Sequence, residues 1–296
     1  MSAFAGRYRG FLLDQWGVLH DGERPYPGAR ECLARLHELG KAVIILSNSG
    51  RSGTANEETL TGLGFPREFY YRVVSAGDDA RETIAAASEP FYRDLGRRCL
   101  LLARDSDRHL ADDIGLETVE RPEEADFVLL MGMDSRRQSL AGWRSLLERA
   151  RACGLPMICG NPDLYRTRGD GSLEEAPGLV ARAYADMGGQ VRYHGKPEPG
   201  IYRSCLDKLG LPPSDILCIG DSLVHDVAGA RGAGMHSAFI AGGIHGHELA
   251  WPVPDRVDSR SCLALFESHQ LHPEFALAHF CWSAAPDAAA ADALHP

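Results

Sequence analysis

Residues 10–18 read GFLLDQWGV, a short apolar run that ends in an aspartate and a glycine-containing turn. Two further apolar runs have the same form. AVIIL at 42–46 is followed by the polar residues SNS, and ILCI at 216–219 is followed by GDS. Short aliphatic runs bounded by turn-forming residues are typical of buried strands. Each of these three segments is therefore predicted to be a strand with polar residues at its carboxyl end.

Helical patterns separate the apolar runs. The segment 27–41 reads PGARECLARLHELGK and ends near a glycine stop signal. Its apolar residues fall on one helical face: Ala29, Cys32, Leu33, Leu36 and Leu39. Further strand-like runs occur at 99–102, 127–131 and 156–159. Strand alternating with helix predicts an α/β fold with a Rossmann-like, doubly wound parallel sheet. Such a sheet places its site at the carboxyl ends of its strands.

The middle of the chain predicts a second domain inserted into the first. Residues from about 80 to 190 alternate strand and helix by themselves, and they separate Ser47 from Lys196. We therefore expect a core domain formed by 1–80 and 190–283, and a smaller α/β cap domain formed by 81–189. The last residues, 284–296, read AAPDAAAADALHP and are predicted to be a low-complexity tail.

Composition excludes several classes of partner. The net charge is −10, from 31 basic and 41 acidic residues, and no basic run offers a surface for nucleic acid or anionic membranes. A bound cation would attract an anionic substrate against this overall charge. The eight cysteines are widely spaced without a CxxC, which favours reduced thiols. No signal peptide or membrane-length apolar run is recognisable, so we expect a cytoplasmic protein.

The residues at the strand ends have the chemistry of a phosphate and metal site. Asp14 can attack phosphorus and form an aspartyl-phosphate, and Asp14 and Asp221 offer hard oxygen ligands suited to Mg²⁺. The Ser47 hydroxyl and the backbone N–H groups of Asn48 and Ser49 can surround phosphoryl oxygens. Each element alone is more often a turn or a helix cap. Their order along the chain is what indicates a phosphoryl-transfer site.

That order resembles the haloacid dehalogenase (HAD) superfamily over nearly the whole chain. Four segments resemble its motifs I to IV: LLDQWGVLHDG at 12–22, ILSNSGR at 45–51, HGKPEPGIY at 194–202 and CIGDSLVHDVAGARGAG at 218–234. The similarity is strongest to subclass IIA, whose α/β cap of the C2 type is inserted between motifs II and III. ICGNPD at 158–163 resembles a segment of that cap. Phosphatases of nucleotides, pyridoxal phosphate and phosphoglycolate belong to this subclass.

The resemblance implies a Mg²⁺-dependent phosphatase that acts on a small phosphorylated metabolite, such as a sugar phosphate or a nucleotide. Cap-mediated homodimers are common in the subclass. Carried over by position, Asp14 is the nucleophile and Lys196 the motif III lysine. The implied substrate-binding residues are Ser47, Asn48, Ser49, Lys196, Asn161 and Asp163. The implied metal ligands are Asp14, Asp221, the backbone carbonyl of Trp16, and Asp226 as a ligand or a partner of the ligands. For Asn161 and Asp163 an ordinary Asn-Pro turn is an equally good interpretation.

Trp16 departs from the family pattern. Family phosphatases carry there an aspartate that protonates the leaving oxygen and later activates water, and losing such a group costs about 10²–10⁴-fold in rate. His20 or Asp21 in the same loop can substitute for it, or the substrate has a good leaving group such as an acyl phosphate. Alternatively, the protein is catalytically impaired and binds a phosphometabolite or a protein partner. Haloacid dehalogenases also have an aromatic residue here, but the retained pair Asp221 and Asp226 argues against dehalogenation.

Overall fold

The structure is a computed structural model that describes residues 1–134, 139–251 and 256–282. The predicted tail, 284–296, lies outside the described residues. Across the described ranges, no helix combines the length and the apolar character that crossing a bilayer requires.

Strands and helices alternate along the described chain. The strands are β1 Gly10–Leu13, β2 Ala42–Ser47, β3 Arg72–Ser75, β4 Arg98–Leu102, β5 Glu117–Val119, β6 Phe127–Leu130, β7 Met157–Cys159, β8 Tyr165–Thr167, β9 Leu173–Glu175, β10 Val191–Tyr193, β11 Ile216–Gly220, β12 His236–Ile240 and β13 Phe275–Leu277. The helices are α1 Ala29–Glu38, α2 Gly53–Gly62, α3 Ala76–Ala86, α4 Pro90–Arg93, α5 His109–Asp113, α6 Leu140–Ala152, α7 Pro177–Asp186, α8 Pro199–Leu209, α9 Ala228–Gly232 and α10 Ser259–His269. The apolar runs recognised in the sequence all form strands, with ends that shift by one residue at most.

A six-stranded parallel sheet in the order β13-β12-β11-β1-β2-β3 forms the larger layer. Alternate residues of β1 enter different cores because side chains in a strand point to opposite faces. Phe11 and Leu13 pack in the cluster that contains Leu33 of α1, whereas Leu12 packs with Ile201 of α8. Helices therefore cover both faces of the sheet, and the predicted doubly wound α/β fold is confirmed.

A second parallel sheet, β10-β7-β6-β4-β5, lies between β3 and α8 in the sequence, and β8 and β9 form an antiparallel hairpin beside it. We propose that this unit is the cap domain. Its edge strand Val191–Tyr193 pairs with β7, so on this division the cap continues past the expected end at residue 189.

The register of the large sheet brings three strand ends together. Leu13 pairs with Ile219 of β11 on one side and with Ile45 of β2 on the other. The chain runs outward from β1 to β3 and returns to β11 on the opposite side of β1, which makes this edge a topological switch point. Asp14, Ser47 and Asp221 therefore lie at the same edge of the sheet.

Candidate active site

Three buried carboxylates meet at this edge. Asp14, Asp221 and Asp226 each offer an oxygen atom, and these atoms lie within 4.8 Å of one another. Asp14 and Asp221 directly follow β1 and β11, while a π-helical turn at Leu223–Val227 brings Asp226 back toward the strand end. Backbone N–H groups orient the acidic side chains, since Ile244 N donates to Asp221 Oδ2 at 2.7 Å and Ser222 N donates to Asp226 Oδ2 at 3.1 Å.

Gly17 shows why a glycine follows Trp16 in this loop. Its φ of +84° lies in the left-handed region, which L side chains rarely adopt. A Cβ at position 17 would also overlap Asp221 Oδ2. The loop after Asp14 can therefore pass in direct contact with the Asp221 carboxylate only because position 17 has no side chain.

Lys196, in the segment after β10, contacts two of the carboxylates. Its side chain is buried, and Nζ donates to Asp14 Oδ1 at 2.5 Å and to Asp226 Oδ1 at 2.7 Å. Asn48 holds the lysine backbone from both sides, accepting from Lys196 N at 2.7 Å and donating to Lys196 O at 3.3 Å. We call Asp14, Lys196, Asp221 and Asp226 the cavity floor.

The cavity floor carries excess negative charge. Burial raises the pKa of Asp14 to about 7, a shift that Lys196 opposes and Asp226 increases. Burial and the neighbouring Asp14 charge raise the pKa of Asp221 well above its usual range. Burial alone would lower the pKa of Lys196, but Asp14 and Asp226 hold it above its usual value. One ammonium group therefore compensates only part of the charge of three carboxylates.

The residues present fit a divalent cation. An octahedral Mg²⁺ bound at about 2.1 Å places its ligand oxygens about 3–4 Å apart, close to the spacing in the cavity floor. Hard carboxylate oxygens are the donors that Mg²⁺ prefers. A cation would also offset the repulsion that raises the Asp14 and Asp221 pKa values. Asp14, Asp221 and Asp226 are therefore suited to hold a metal, and the Trp16 carbonyl stays the expected further ligand.

The predicted phosphate-binding residues separate into two groups. Ser47 and Asn48 are buried and line the same cavity as Asp14. Ser49 is not among the lining residues, and its N–H donates to the Ser47 hydroxyl at 3.3 Å. Ser47 therefore lies where a phosphoryl group in the cavity could reach its hydroxyl, while the Asn48 side chain positions Lys196.

The two predicted cap residues also differ. Asp163 lines the cavity, where its Oδ1 accepts from Asn48 Nδ2 at 2.8 Å and lies 3.1 Å from His225 Nδ1. Asn161 lies outside the cavity lining, and its Oδ1 accepts from Asp163 N at 3.2 Å. Asn161 thus forms the local turn that an Asn-Pro sequence favours, and its contact with substrate stays a prediction.

Trp16 connects the loop after Asp14 to the β8–β9 hairpin. Its indole Nε1 donates to Thr167 O at 2.7 Å, and the Arg166 guanidinium lies 5.3 Å from the ring centroid. The other end of the ring leaves no room for a side chain at Gly22. The residue at the position of the family's acid/base therefore makes a contact across 151 positions of sequence, and it has no titratable group.

His20 packs within the loop that carries Asp14. It is buried outside the cavity lining, with Nδ1 accepting from Gly22 N at 2.9 Å and Nε2 3.0 Å from Gln15 Nε2. Burial lowers its pKa to about 4, so it is neutral at physiological pH. Both ring nitrogens support the loop that carries Asp14, which is the ordinary structural role of a buried loop histidine.

The cavity above the floor has a volume of about 380 Å³ and is lined by loops of the large sheet and by the β8–β9 hairpin with the residues just before it. Its walls include residues that the sequence did not single out: Tyr165, Arg166, Thr167, Leu173, Val224 and His225. His245 is half-buried, with Nδ1 2.6 Å from Glu248 Oε1. No local pattern marks these residues, because they are brought together only by the placement of the hairpin.

The fold and the cavity floor define a doubly wound α/β protein with an acidic site at the switch point of its parallel sheet. A family model for haloacid dehalogenase-like hydrolases matches residues 11–117, and a HAD-hydrolase-like model matches residues 193–258. A hydrolase of the haloacid dehalogenase-like family from Brucella suis 1330 is 31% identical with a TM-score of 0.79, over 94% of this chain and 97% of its own. The chain therefore belongs to the haloacid dehalogenase superfamily, in subclass IIA, as expected.

Two further relatives are phosphatases by name. Sugar-phosphatase AraL of Bacillus subtilis is 25% identical, over 79% of this chain and 83% of its own length. A p-nitrophenyl phosphatase from Archaeoglobus fulgidus is 25% identical with a TM-score of 0.65, over 92% of this chain and 97% of its own.

Proposed function

We propose that the chain is a Mg²⁺-dependent phosphatase that hydrolyses a small phosphorylated metabolite through an aspartyl-phosphate on Asp14. The observation that carries this proposal is the buried contact between Lys196 and both Asp14 and Asp226 at the base of the cavity. Relatives named for phosphatase activity support the same reaction class. This reading makes the chain a phosphoric monoester hydrolase.

The chain's own residues account for phosphorylation of the enzyme. Lys196 binds Asp14 Oδ1, and within the described residues no hydrogen bond reaches Oδ2. An oxygen of the Asp14 carboxylate attacks phosphorus, and the bond to the leaving oxygen breaks as the bond between Asp14 and phosphorus forms. Lys196 and the Ser47 hydroxyl neutralise and position the phosphoryl oxygens. The leaving oxygen takes its proton from water, because Trp16 has no proton to give.

Water then attacks phosphorus, which releases inorganic phosphate and regenerates the Asp14 carboxylate. A bound Mg²⁺ would neutralise charge that develops on the phosphoryl oxygens. No described residue at position 16 or 20 is placed to activate this water, since Trp16 lacks a base and His20 lies outside the cavity lining. For an ester whose leaving group needs no proton, we therefore infer that hydrolysis of the aspartyl-phosphate is slower than its formation.

A second candidate function follows from the same residue. A protein that retains the cavity floor but lacks the acid/base can bind a phosphometabolite or a protein partner with little turnover. The hydrogen bond from Trp16 Nε1 to Thr167 O favours this function, because it holds the Trp16 side chain against the hairpin.

Phosphate release from a metabolite panel with Mg²⁺ separates the two functions. We expect steady-state release above background for at least one ester, and a fall of at least about 10³-fold when Asp14→Asn removes the nucleophile. Asp126→Asn makes the same chemical change at an exposed ion pair with Arg98 and is the matched control. Background rates throughout the panel, unchanged by Asp14→Asn, would leave only the binding function.

A further inference from the structure

Exposed apolar side chains gather at the opening of the active-site cavity. The described residues include six exposed large hydrophobic side chains, and three of these line this one cavity: Tyr165, Leu173 and Val224. They are 42%, 40% and 44% exposed. We call these three residues the cavity mouth. Exposed apolar surface concentrated at a binding cavity is typical of a surface that a ligand covers.

The cavity mouth is built from two parts of the fold. Tyr165 lies in β8 and Leu173 in β9, the two strands of the cap hairpin, and Thr167 pairs with Leu173 across it. Val224 comes from the π-helical turn of the core that also carries Asp226. A molecule whose phosphoryl group lies against Asp14 would therefore place its remaining atoms between the hairpin and this turn.

The arginine and lysine side chains that line the cavity already have carboxylate partners. Arg166 Nε lies 2.7 Å from Glu174 Oε2 across the hairpin, and Lys196 is bound by Asp14 and Asp226. A second anionic group on the substrate would have to displace one of these ion pairs. Because both of these side chains are already paired with carboxylates, the lining residues that the structure describes favour a leaving group without charge.

Besides the Tyr165 hydroxyl and the Arg166 guanidinium, the hairpin offers few polar side-chain groups to a substrate in the cavity. Thr167 lines the cavity, and its buried hydroxyl makes no hydrogen bond within the described chain. It can bind one polar atom of a substrate. A polyol would cover the carbon atoms of Tyr165, Leu173 and Val224 without the gain in free energy that an apolar group makes there.

We propose that the cavity mouth is a subsite for an uncharged, apolar leaving group. The preferred substrates are then phosphate monoesters of apolar or aromatic alcohols rather than of polyols. This inference rests on the proposed phosphatase function and narrows it, because it excludes sugar phosphates as the best substrates.

The direct test compares kcat/KM for benzyl phosphate and glycerol 3-phosphate in the same enzyme preparation with Mg²⁺. Both are esters of primary alcohols, so the comparison reports mainly on how the leaving group is bound. We expect benzyl phosphate to be favoured by at least about tenfold, from burial of its ring against the mouth. In a series from methyl to hexyl phosphate, kcat/KM should rise about twofold per methylene that the half-exposed mouth covers.

Variants locate the preference in the mouth. Leu173→Asn should lower the ratio of benzyl to glycerol phosphate about fivefold, with a similar loss for Tyr165→Ser. Leu263→Asn changes a leucine of α10 with the same 40% exposure away from the cavity and should leave the ratio unchanged. Because all three positions are exposed, folding is not at risk.

The outcomes are distinct. A higher kcat/KM for glycerol phosphate than for benzyl phosphate, or a ratio that Leu173→Asn leaves intact, overturns the subsite while the phosphatase function stands. Absence of phosphate release from every ester, including p-nitrophenyl phosphate, overturns the phosphatase function and this inference with it.

Discussion

The cavity floor and the cavity mouth differ in every physical respect. The floor is buried, charged and formed at the carboxyl ends of core strands, with Lys196 bridging Asp14 and Asp226. The mouth is exposed and apolar, and most of it lies on a short cap hairpin. In the proposed function, the charged floor carries out the reaction, whereas the apolar mouth selects the ester that is bound. Variants in the floor should therefore change all substrates alike, and variants in the mouth should change only their ratios.

Trp16 connects the two regions. Its backbone lies two residues after Asp14 in the core, but its indole contacts Thr167 O and the Arg166 guanidinium in the cap hairpin. Where family phosphatases have an acid/base, this loop thus has a side chain that contacts the hairpin on which Tyr165 and Leu173 lie. Three changes test the division of roles between the regions.

The largest effect is expected for Lys196→Met in the floor. Breaking a buried ion pair by removing one partner costs about 3–5 kcal/mol, because Asp14, Asp221 and Asp226 then lack a cation. The free energy of unfolding in urea should fall by this amount with EDTA present, and Mg²⁺ should restore part of it. Phosphate release should fall for every ester alike.

Lys208→Met is the matched control for that change. It removes a lysine of α8 whose ammonium contacts the Ser204 hydroxyl, and we expect little loss of stability. Equal stability of the Lys196→Met and Lys208→Met proteins without metal would show that the lysine does not compensate the floor carboxylates.

Trp16→Asp should have the next largest effect, on the chemistry that links the two regions. An acid two residues after Asp14 can protonate the leaving oxygen, so turnover of benzyl phosphate should rise about 10²-fold. Trp16→Phe keeps an aromatic ring and loses the bond to Thr167 O, and it should show no such gain. A Trp16→Asp protein that is no faster would mean that another lining group already supplies the proton. His225 would then be the first residue to substitute.

His20→Gln should have the smallest effect, on stability alone. Burial lowers the pKa of His20 to about 4, while the unfolded chain takes up this proton near pH 6.5. As the pH falls from 7.5 to 5, protonation therefore favours the unfolded state, and wild-type stability should lose about 2 kcal/mol through this residue. The variant should lack that part of the loss.

Urea unfolding at the two pH values measures this difference. His272→Gln, a change at an exposed histidine, should leave the wild-type pH dependence in place. An identical loss in the wild-type and His20→Gln proteins would contradict the buried, neutral state of His20.

The sequence predicted the core sheet and the floor because their signals are local. A strand-length apolar run ends directly before Asp14 and before the GD of 220–221, and parallel pairing then forces these ends together. Lys196 was assigned through motif order, and its contacts with Asp14 and Asp226 follow from the fold.

The mouth was not predicted, for a physical reason. Tyr165 and Leu173 lie on two strands of three residues each, and Val224 lies on a π-helical turn. These elements are too short to show a hydrophobic periodicity in the sequence. Their proximity depends on where the cap hairpin rests, and that placement involves the contact of Trp16 with Thr167. Local patterns do not contain long-range contacts of this kind.

The central claim is that Asp14 becomes phosphorylated and, with Trp16 in place of a base, loses the phosphoryl group slowly. Rapid mixing with p-nitrophenyl phosphate and Mg²⁺, followed by acid quench and mass spectrometry of the peptide that contains Asp14, tests it most directly. We predict a burst of nitrophenol approaching one equivalent per site, with a matching phosphoryl group on Asp14 that is absent from the Asp14→Asn protein. Steady release of nitrophenol with no burst and no phosphoryl group on Asp14 would contradict the account.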